Sequence, residues 1–108
     1  EHAQGWYNKG LTLATADRHE EALQAFGLAL GIAPDHALAW HSKGVSLLAL
    51  DRPRDALAAC QHALGLAPRK ALTWHAKGVV LARLGENGKA LEAYERALEI
   101  NPDYAETW

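Results

Sequence analysis

Tryptophan and proline recur along this chain at one fixed spacing of 34 residues. The four tryptophans are Trp6, Trp40, Trp74 and Trp108. Three of the four prolines keep the same spacing, at Pro34, Pro68 and Pro102. Because two unrelated residue types follow one period, the sequence consists of repeated units, each of which must stack on a neighbour to bury its apolar side.

Each unit contains two runs of apolar and small residues at helical spacing, and a polar segment separates them. In the first unit the runs are Trp6, Gly10 and Leu13, then Ala22, Phe26 and Ala29. The polar segments 16–19, 51–53 and 85–88 have the composition of turns and helix starts. The periodic prolines disfavour helix in the residue before them, so a second helix ends at each.

The spacing therefore predicts helix hairpins over residues 3–36, 37–70 and 71–104, with 105–108 opening a fourth unit of one domain, 1–108. A glycine stands in the middle of each first helix, although it costs about 1 kcal/mol there relative to alanine. These glycines are Gly10, Gly44 and Gly78. We infer that the two helices of a hairpin approach closely at the glycine, and that tryptophan fills the wider end.

Trp, Gly, Leu, Ala, an aromatic residue, Ala and Pro follow in this order within a unit, and the pattern resembles the tetratricopeptide repeat family over residues 3–108. The resemblance implies an all-α, right-handed superhelix of antiparallel helix hairpins. It also implies that the first helices line a concave groove that holds a peptide or a partner helix. The chain departs from the family pattern at Lys9, Lys43 and Lys77, where an aliphatic residue is common, and at Cys60, where an aromatic residue is preferred.

The first helices carry a second stripe of residues that faces away from the apolar run. Since the resemblance places these helices along a groove, we predict that a protein or peptide partner binds to this stripe. The predicted groove residues are Tyr7, Asn8, Leu11, His41, Ser42, Val45, Leu48, His75, Ala76 and Val79. The alternative is that the curvature of the superhelix half-buries these residues against one another.

One subset of the family holds the free C-terminal carboxylate of chaperones with a clamp of lysine, asparagine and arginine side chains. The corresponding places in this chain are Tyr7, Leu11, Ser42, Leu72 and Ala76, and none of them is basic or an amide. The resemblance therefore implies no carboxylate-clamp recognition, and we expect a preference for apolar or helical segments.

Charge and composition argue against several classes of function. A net charge of -2 and a pI near 6.3 provide no broad basic surface for nucleic acid. No run approaches the roughly 18 apolar residues that span a bilayer, so no membrane contact is expected. The single cysteine, Cys60, cannot form an internal disulfide, which favours a cytoplasmic location.

Neither a catalytic nor a metal centre is expected, and no cofactor. His41 and His75 lie one unit apart with Tyr7 at the same place in the first unit, whereas a zinc site needs about three or four protein ligands. Cys60 takes a place that the pattern buries and has no base on its face, so it is interpreted as a small hydrophobic residue. The remaining histidines that the pattern places on solvated surface are His19, His36 and His62.

Two other roles remain open beside peptide binding. The chain could serve as an accessory recruitment domain of a longer enzyme or regulator, or as an architectural element that self-associates through its ends. Leu91, Leu98 and Ile100 on the last second helix lack a full neighbouring unit, which predicts that this end frays or pairs with another copy. The three periodic lysines either form a basic ladder or cover the joint between units with their alkyl stems.

Overall fold

The computed structural model describes residues 2–103 of the chain, and this part consists of six α-helices joined by short turns. The helices are α1 (Ala3–Thr15), α2 (His19–Ile32), α3 (Ala37–Ala49), α4 (Pro53–Leu66), α5 (Ala71–Arg83) and α6 (Asn87–Ile100). No strand occurs within residues 2–103. The expected all-α architecture is confirmed, whereas the segment 105–108, expected to open a fourth unit, lies outside the described residues.

The turn inside each hairpin reverses the chain through one residue in the left-handed region. This residue is Asp17, Asp51 or Gly85, with φ of 64°, 61° and 84°. Aspartate and glycine tolerate this region better than most residues. After the first turn the N–H of Arg18 donates to the carbonyl of Leu13 at 2.8 Å, and the other two hairpins repeat this bond. The polar segments of the sequence are thus helix-ending turns with one common geometry.

The shared period of tryptophan and proline has a direct cause in the linkers between hairpins. The indole N–H of Trp40 donates to the carbonyl oxygen of Pro34 at 2.9 Å, and that of Trp74 donates to Pro68 at 2.8 Å. The proline ends the second helix, and the tryptophan six residues later ties the linker to the next first helix. Pro53 stands in the first turn of α4, where its missing N–H removes no helical hydrogen bond.

The glycine of each first helix lies directly against the second helix of its hairpin. A Cβ atom added at Gly10 would fall 2.5 Å from the ring of Phe26, and one at Gly78 would fall 2.5 Å from the ring of Tyr94. At Gly44 the nearest atom would be Sγ of Cys60, at 2.9 Å. The inferred close approach of the two helices is therefore present in all three hairpins.

Neighbouring hairpins stack so that each second helix packs on the first helix of the next hairpin. The contacts run α2 to α3 and α4 to α5, and the first helices also touch one another, α1 with α3 and α3 with α5. No comparable packing joins the second helices within the described residues. The first helices thus form the inner layer of the solenoid, and the second helices form the outer layer.

We predict that Gly10→Ala destabilises the fold by about 1 to 3 kcal/mol, although alanine favours helix, because the added methyl group overpacks the buried Phe26 ring. Gly27→Ala is the matched control, since Gly27 lies inside α2 with nothing within 4 Å of its added Cβ. This control should stabilise the protein by up to about 1 kcal/mol. Urea denaturation measures the change in the free energy of unfolding for both variants. If Gly10→Ala stabilised the protein as Gly27→Ala does, the close contact at Gly10 would be contradicted.

Cys60 is fully buried, as the sequence predicts, and burial raises the pKa of its thiol to about 11. A protonated, inaccessible thiol is a poor nucleophile. We therefore expect a thiol reagent at neutral pH to label Cys60 slowly in the folded protein and quickly in denaturant. Rapid stoichiometric labelling of the folded chain would show that α4 does not hold Cys60 against α3.

Candidate functional site

The candidate site is the exposed side of the inner helices, which carries a set of aliphatic residues. We call it the groove face, and it consists of Leu11, Leu38, Val45, Leu72 and Val79. The first four of these side chains keep between 37% and 47% of their surface exposed, and Val79 is half-buried. Leu38 and Val45 lie seven residues apart on α3, as do Leu72 and Val79 on α5, so each pair shares one side of its helix.

The ten residues predicted to line the groove divide into three groups by exposure. Three are exposed, namely Asn8, Leu11 and Val45. Four are half-buried, namely Leu48, His75, Ala76 and Val79. Tyr7, His41 and Ser42 are buried, each at 8% exposure. The prediction therefore mixed residues that are open to a partner with residues that pack between hairpins.

All three predicted ring residues contact other residues of the protein, and the ring of His75 lies 5.5 Å from the ring of Tyr94. The ring of Tyr7 lies 4.7 Å from the ring of His36, which precedes α3, and 6.0 Å from the ring of Phe26. His41, one period after Tyr7, contacts the next hairpin differently, since its Nδ1 lies 3.1 Å from Oγ1 of the buried Thr73. The rings of Tyr7 and His41 join α1 to the start of α3 and α3 to α5, so they shape the groove wall from beneath its surface.

Leu38 and Leu72 are exposed members of the groove face that the predicted stripe does not include, although Leu72 is one of the clamp places named from the resemblance. The predicted stripe begins at the residue after each tryptophan and extends only toward the C-terminal end of the helix. Helical spacing relates both leucines to the stripe, because each lies seven residues before one of its valines, Val45 or Val79. The two leucines lie at the N-terminal ends of α3 and α5 and extend the apolar surface by about two turns.

Burial lowers the pKa of His41, and the positive charge of Lys70 lowers it further. Partial burial also lowers the pKa of His75. A neutral imidazole is therefore favoured at both places near neutral pH. The His41 and Thr73 pair then joins two neutral groups that can exchange donor and acceptor roles, according to the tautomer of the ring.

The expectation that His19 lies on solvated surface is wrong. Its side chain is 15% exposed, and Nδ1 lies 3.2 Å from Oγ of Ser46, which is completely buried in α3. His36 is half-buried and accepts a hydrogen bond from the N–H of Ala39 as the N-cap of α3. His62 is exposed as expected, but its ring stacks on Trp40 at 3.9 Å. Polar capping and inter-hairpin pairing, which apolar periodicity does not report, account for these differences.

The periodic lysines lie on the side of each first helix away from the groove face. Their ammonium groups sit over the tryptophan of the same helix, at 5.3 Å for Lys9, 4.9 Å for Lys43 and 5.0 Å for Lys77. This geometry is that of a cation-π contact. The lysines do recur as a periodic set, as a basic ladder would. Each ammonium group, however, is paired with the tryptophan of its own helix.

The groove face itself carries no charge. Of the described residues, no helix is long and apolar enough to cross a membrane, and no group of three histidine, cysteine, aspartate or glutamate side chains could hold a metal ion. The surface can thus contribute apolar contact, with hydroxyl and amide groups such as that of Asn8 at its margin. This arrangement suits the recognition of an apolar segment.

Comparison with known proteins places this architecture in the class of helical-hairpin repeat proteins. Family models described as Tetratricopeptide repeat match residues 3–36 and 71–104. The chain belongs to the tetratricopeptide repeat family. No curated protein matches it in a sequence search.

Solved structures with the same fold share little sequence with this chain. The second and first TPR of Spaghetti (RPAP3), each bound to the HSP90 peptide SRMEEVD, superpose with TM-scores of 0.90 and 0.91 at 17% and 20% identity. These matches cover 94% of this chain, and 94% and 80% of the respective TPR chains. A crystal structure of MamA gives a TM-score of 0.86 at 19% identity and covers 97% of this chain. This chain spans 57% of that MamA chain.

We predict that the protein loses stability in acid because of His41. Its pKa is lowered only in the folded state, so below the ordinary imidazole pKa of about 6.5 the unfolded chain binds a proton that the folded chain does not. The contribution of neutral His41 to the free energy of unfolding is complete above that pH, and it is lost as the pH drops toward the lowered pKa of the folded state. Denaturation at about pH 7.5 and about pH 5 should show this loss.

The matched variant combines His41→Tyr with Thr73→Ala, which copies the Tyr7 and Ala39 pair of the preceding hairpin. It should lose less stability than the wild type between the two pH values, because one titrating group has been removed. An identical loss in both proteins would show that His41 does not contribute.

Proposed function

We propose that the protein is an interaction module that binds an apolar peptide or one side of an amphipathic helix on its groove face. The observation that carries this proposal is the uncharged aliphatic surface of Leu11, Leu38, Val45, Leu72 and Val79 on the inner layer of the solenoid. Tetratricopeptide repeats are in general protein-interaction scaffolds and not enzymes. An exposed apolar surface on the inner layer is the kind of site that such recognition uses.

We further propose that the groove does not recognise chaperone tails through a carboxylate clamp. The two RPAP3 domains of the same fold are bound to an HSP90 peptide that ends in an acidic sequence. In this chain the clamp places are apolar or weakly polar, and Tyr7 and Ser42 among them are buried. A terminal carboxylate would find no cation at these places to replace its hydration.

A second candidate role is architectural self-association, because Leu91 and Leu98 of α6 are exposed. The role of an accessory recruitment domain is also compatible with the groove proposal, since recruitment uses the same surface. In the recruitment role the groove face would bind a partner and perform no chemistry.

The groove proposal predicts that the double variant Val45→Asp and Leu72→Asp loses affinity for its ligand while keeping its helicity. Peptides would first be selected from a random displayed library on the wild-type protein, and the best of them measured by fluorescence anisotropy. Placing two carboxylates on the apolar surface should weaken binding by at least about tenfold. The selected peptides should be rich in aliphatic or aromatic residues and should not depend on a free C-terminus.

Leu28→Asp provides the control, because Leu28 is 49% exposed but lies on α2 in the outer layer. It should leave the affinity within about twofold. The peptide SRMEEVD should not bind measurably. Binding of this peptide with a requirement for its carboxylate would overturn the exclusion of clamp recognition, and undiminished binding by the double variant would overturn the groove proposal.

A further inference from the structure

Most of the groove face lies on two neighbouring helices, α3 and α5. Leu38 and Val45 belong to α3, and Leu72 and Val79 occupy the same two places of the unit on α5. We call these four residues the central strip. The members of each pair are seven residues apart, which is about 10.5 Å along an α-helix. The strip is therefore two side chains wide and about two helical turns long, and it follows the line along which α3 and α5 touch.

The central strip is open in the middle of the solenoid. α3 packs against α2 on one side and against α4 and α5 on the other. Leu38 and Val45 nevertheless keep 39% and 44% of their surface exposed. Their exposure is thus a property of the groove side of a first helix that has a hairpin on either side.

The spacing along the strip fits a helical occupant better than an extended one that lies in the same direction. On a helix, side chains seven residues apart lie on one side and are about 10.5 Å apart. On an extended segment, side chains on one side recur about every 6.7 Å, and no multiple of this distance matches the strip. A helix packed along α3 and α5 can therefore contact both members of each pair.

One end of the strip is positively charged. Arg69 and Lys70 are exposed in the linker before α5, and Lys70 lines a small cleft together with Leu38. Burial, and then the positive charge of Lys70, lower the pKa of His41, which lies beneath the strip. Asp35 in the linker before α3 opposes the two cations, so the net charge at this end is +1.

The opposite end of the strip is neutral. There the guanidinium of Arg83, at the end of α5, lies 3.8 Å from the carboxylate of Asp51 in the turn after α3. A helix that occupies the strip thus meets different charges at its two ends. The C-terminal end of a helix carries partial negative charge, so the favoured place for it is beside Arg69 and Lys70.

We propose that the central strip binds one amphipathic helix of a partner protein, which runs antiparallel to α3 and α5 and carries an acidic side chain in its last turn beside Lys70. The inference rests on the groove proposal and adds the form, direction and charge of the partner. Apolar side chains of the partner helix pack against the four aliphatic residues and provide the affinity. The charges at the end of the strip select the direction.

Two designed peptides of about 18 residues, capped at both termini, test the direction. Both carry leucine along one side of the helix on a background of alanine and glutamine. One has a pair of glutamates in its last turn, and the other has the pair in its first turn. Fluorescence anisotropy with the 108-residue chain should show at least about threefold tighter binding of the first peptide.

Lys70→Glu should remove or reverse this preference, because it places a carboxylate beside the last turn of the peptide. Comparing the ratio of the two affinities between wild type and variant cancels the difference in helicity of the free peptides. Arg54→Glu is the matched control, since it makes the same change of charge at an exposed residue of α4 in the outer layer. It should leave the ratio unchanged. Circular dichroism checks that both variants remain folded.

The form and position of the bound peptide are tested separately. A proline in the centre of the first peptide should weaken binding at least about tenfold, because it breaks the helix. A nitroxide at the C-terminal end of this peptide should broaden the backbone amide signals of Leu38 and Leu72 more than those of Val45 and Val79.

The outcomes separate this inference from the groove proposal. Binding that is lost in the double variant Val45→Asp and Leu72→Asp but is indifferent to Lys70→Glu, or a reversed pattern of broadening, would overturn the direction and leave the groove proposal intact. Undiminished binding of the proline peptide would indicate an extended occupant. If library-selected peptides bind the groove face and neither designed peptide does, this inference alone fails. If no peptide shows binding that depends on Val45 and Leu72, both fail.

Discussion

The whole solenoid depends on the absence of a side chain at the centre of each first helix. Phe26 is completely buried because its ring lies where the Cβ of residue 10 would stand. Glycine costs about 1 kcal/mol in helix propensity, whereas burying a phenylalanine side chain contributes about 1.5 to 3 kcal/mol. Burial of Phe26 therefore outweighs the cost of Gly10, and the two helices are stable in close contact. Ala22 and Ala29, both fully buried, keep the two helices in contact on either side of the ring.

The second hairpin shows how the same contact adjusts to a smaller residue. Cys60 takes the place of the ring, and a Cβ at Gly44 would meet the carbonyl oxygen of Ala56 at 3.3 Å and Cβ of Ala59 at 3.5 Å as well as the sulfur. At Gly10 and Gly78 the three nearest atoms all belong to the ring. The α4 backbone therefore approaches α3 closely and takes up room that a ring fills elsewhere.

The fold was predictable from the sequence and the groove was predictable only in part, for one geometric reason. Helix limits, turns and the glycine contact depend on neighbours within one hairpin, which the period reports. The exposure of His41 or Val45 depends on where the adjacent hairpins lie. These two residues are about 40° apart around α3, and that angle separates a ring packed against Thr73 from a side chain open on the groove face. Curvature sets this boundary, and no single helix encodes it.

The two junctions inside the chain use different polar pairs, so each hairpin is matched to its own neighbour. The first junction pairs His19 with Ser46 and packs Tyr7 near Ala39. The second pairs His41 with Thr73. If the hairpins were exchanged, a buried imidazole would meet the methyl group of Ala39, and the loss of its hydrogen bond would cost about 1 to 3 kcal/mol.

Polar groups at these places therefore act against wrong stacking, since an apolar junction would accept any neighbour. The periodic lysines Lys9, Lys43 and Lys77 keep positive charge away from the groove face. Lys43 and Val45 are two positions apart, which is about 200° around α3, so the cation lies over Trp40 and away from the groove face. Under the groove proposal, an acidic segment would be attracted to the sides of the solenoid and the inner surface would be left to apolar partners. Selectivity for such partners would then arise as much from where the charges are held as from the aliphatic residues themselves.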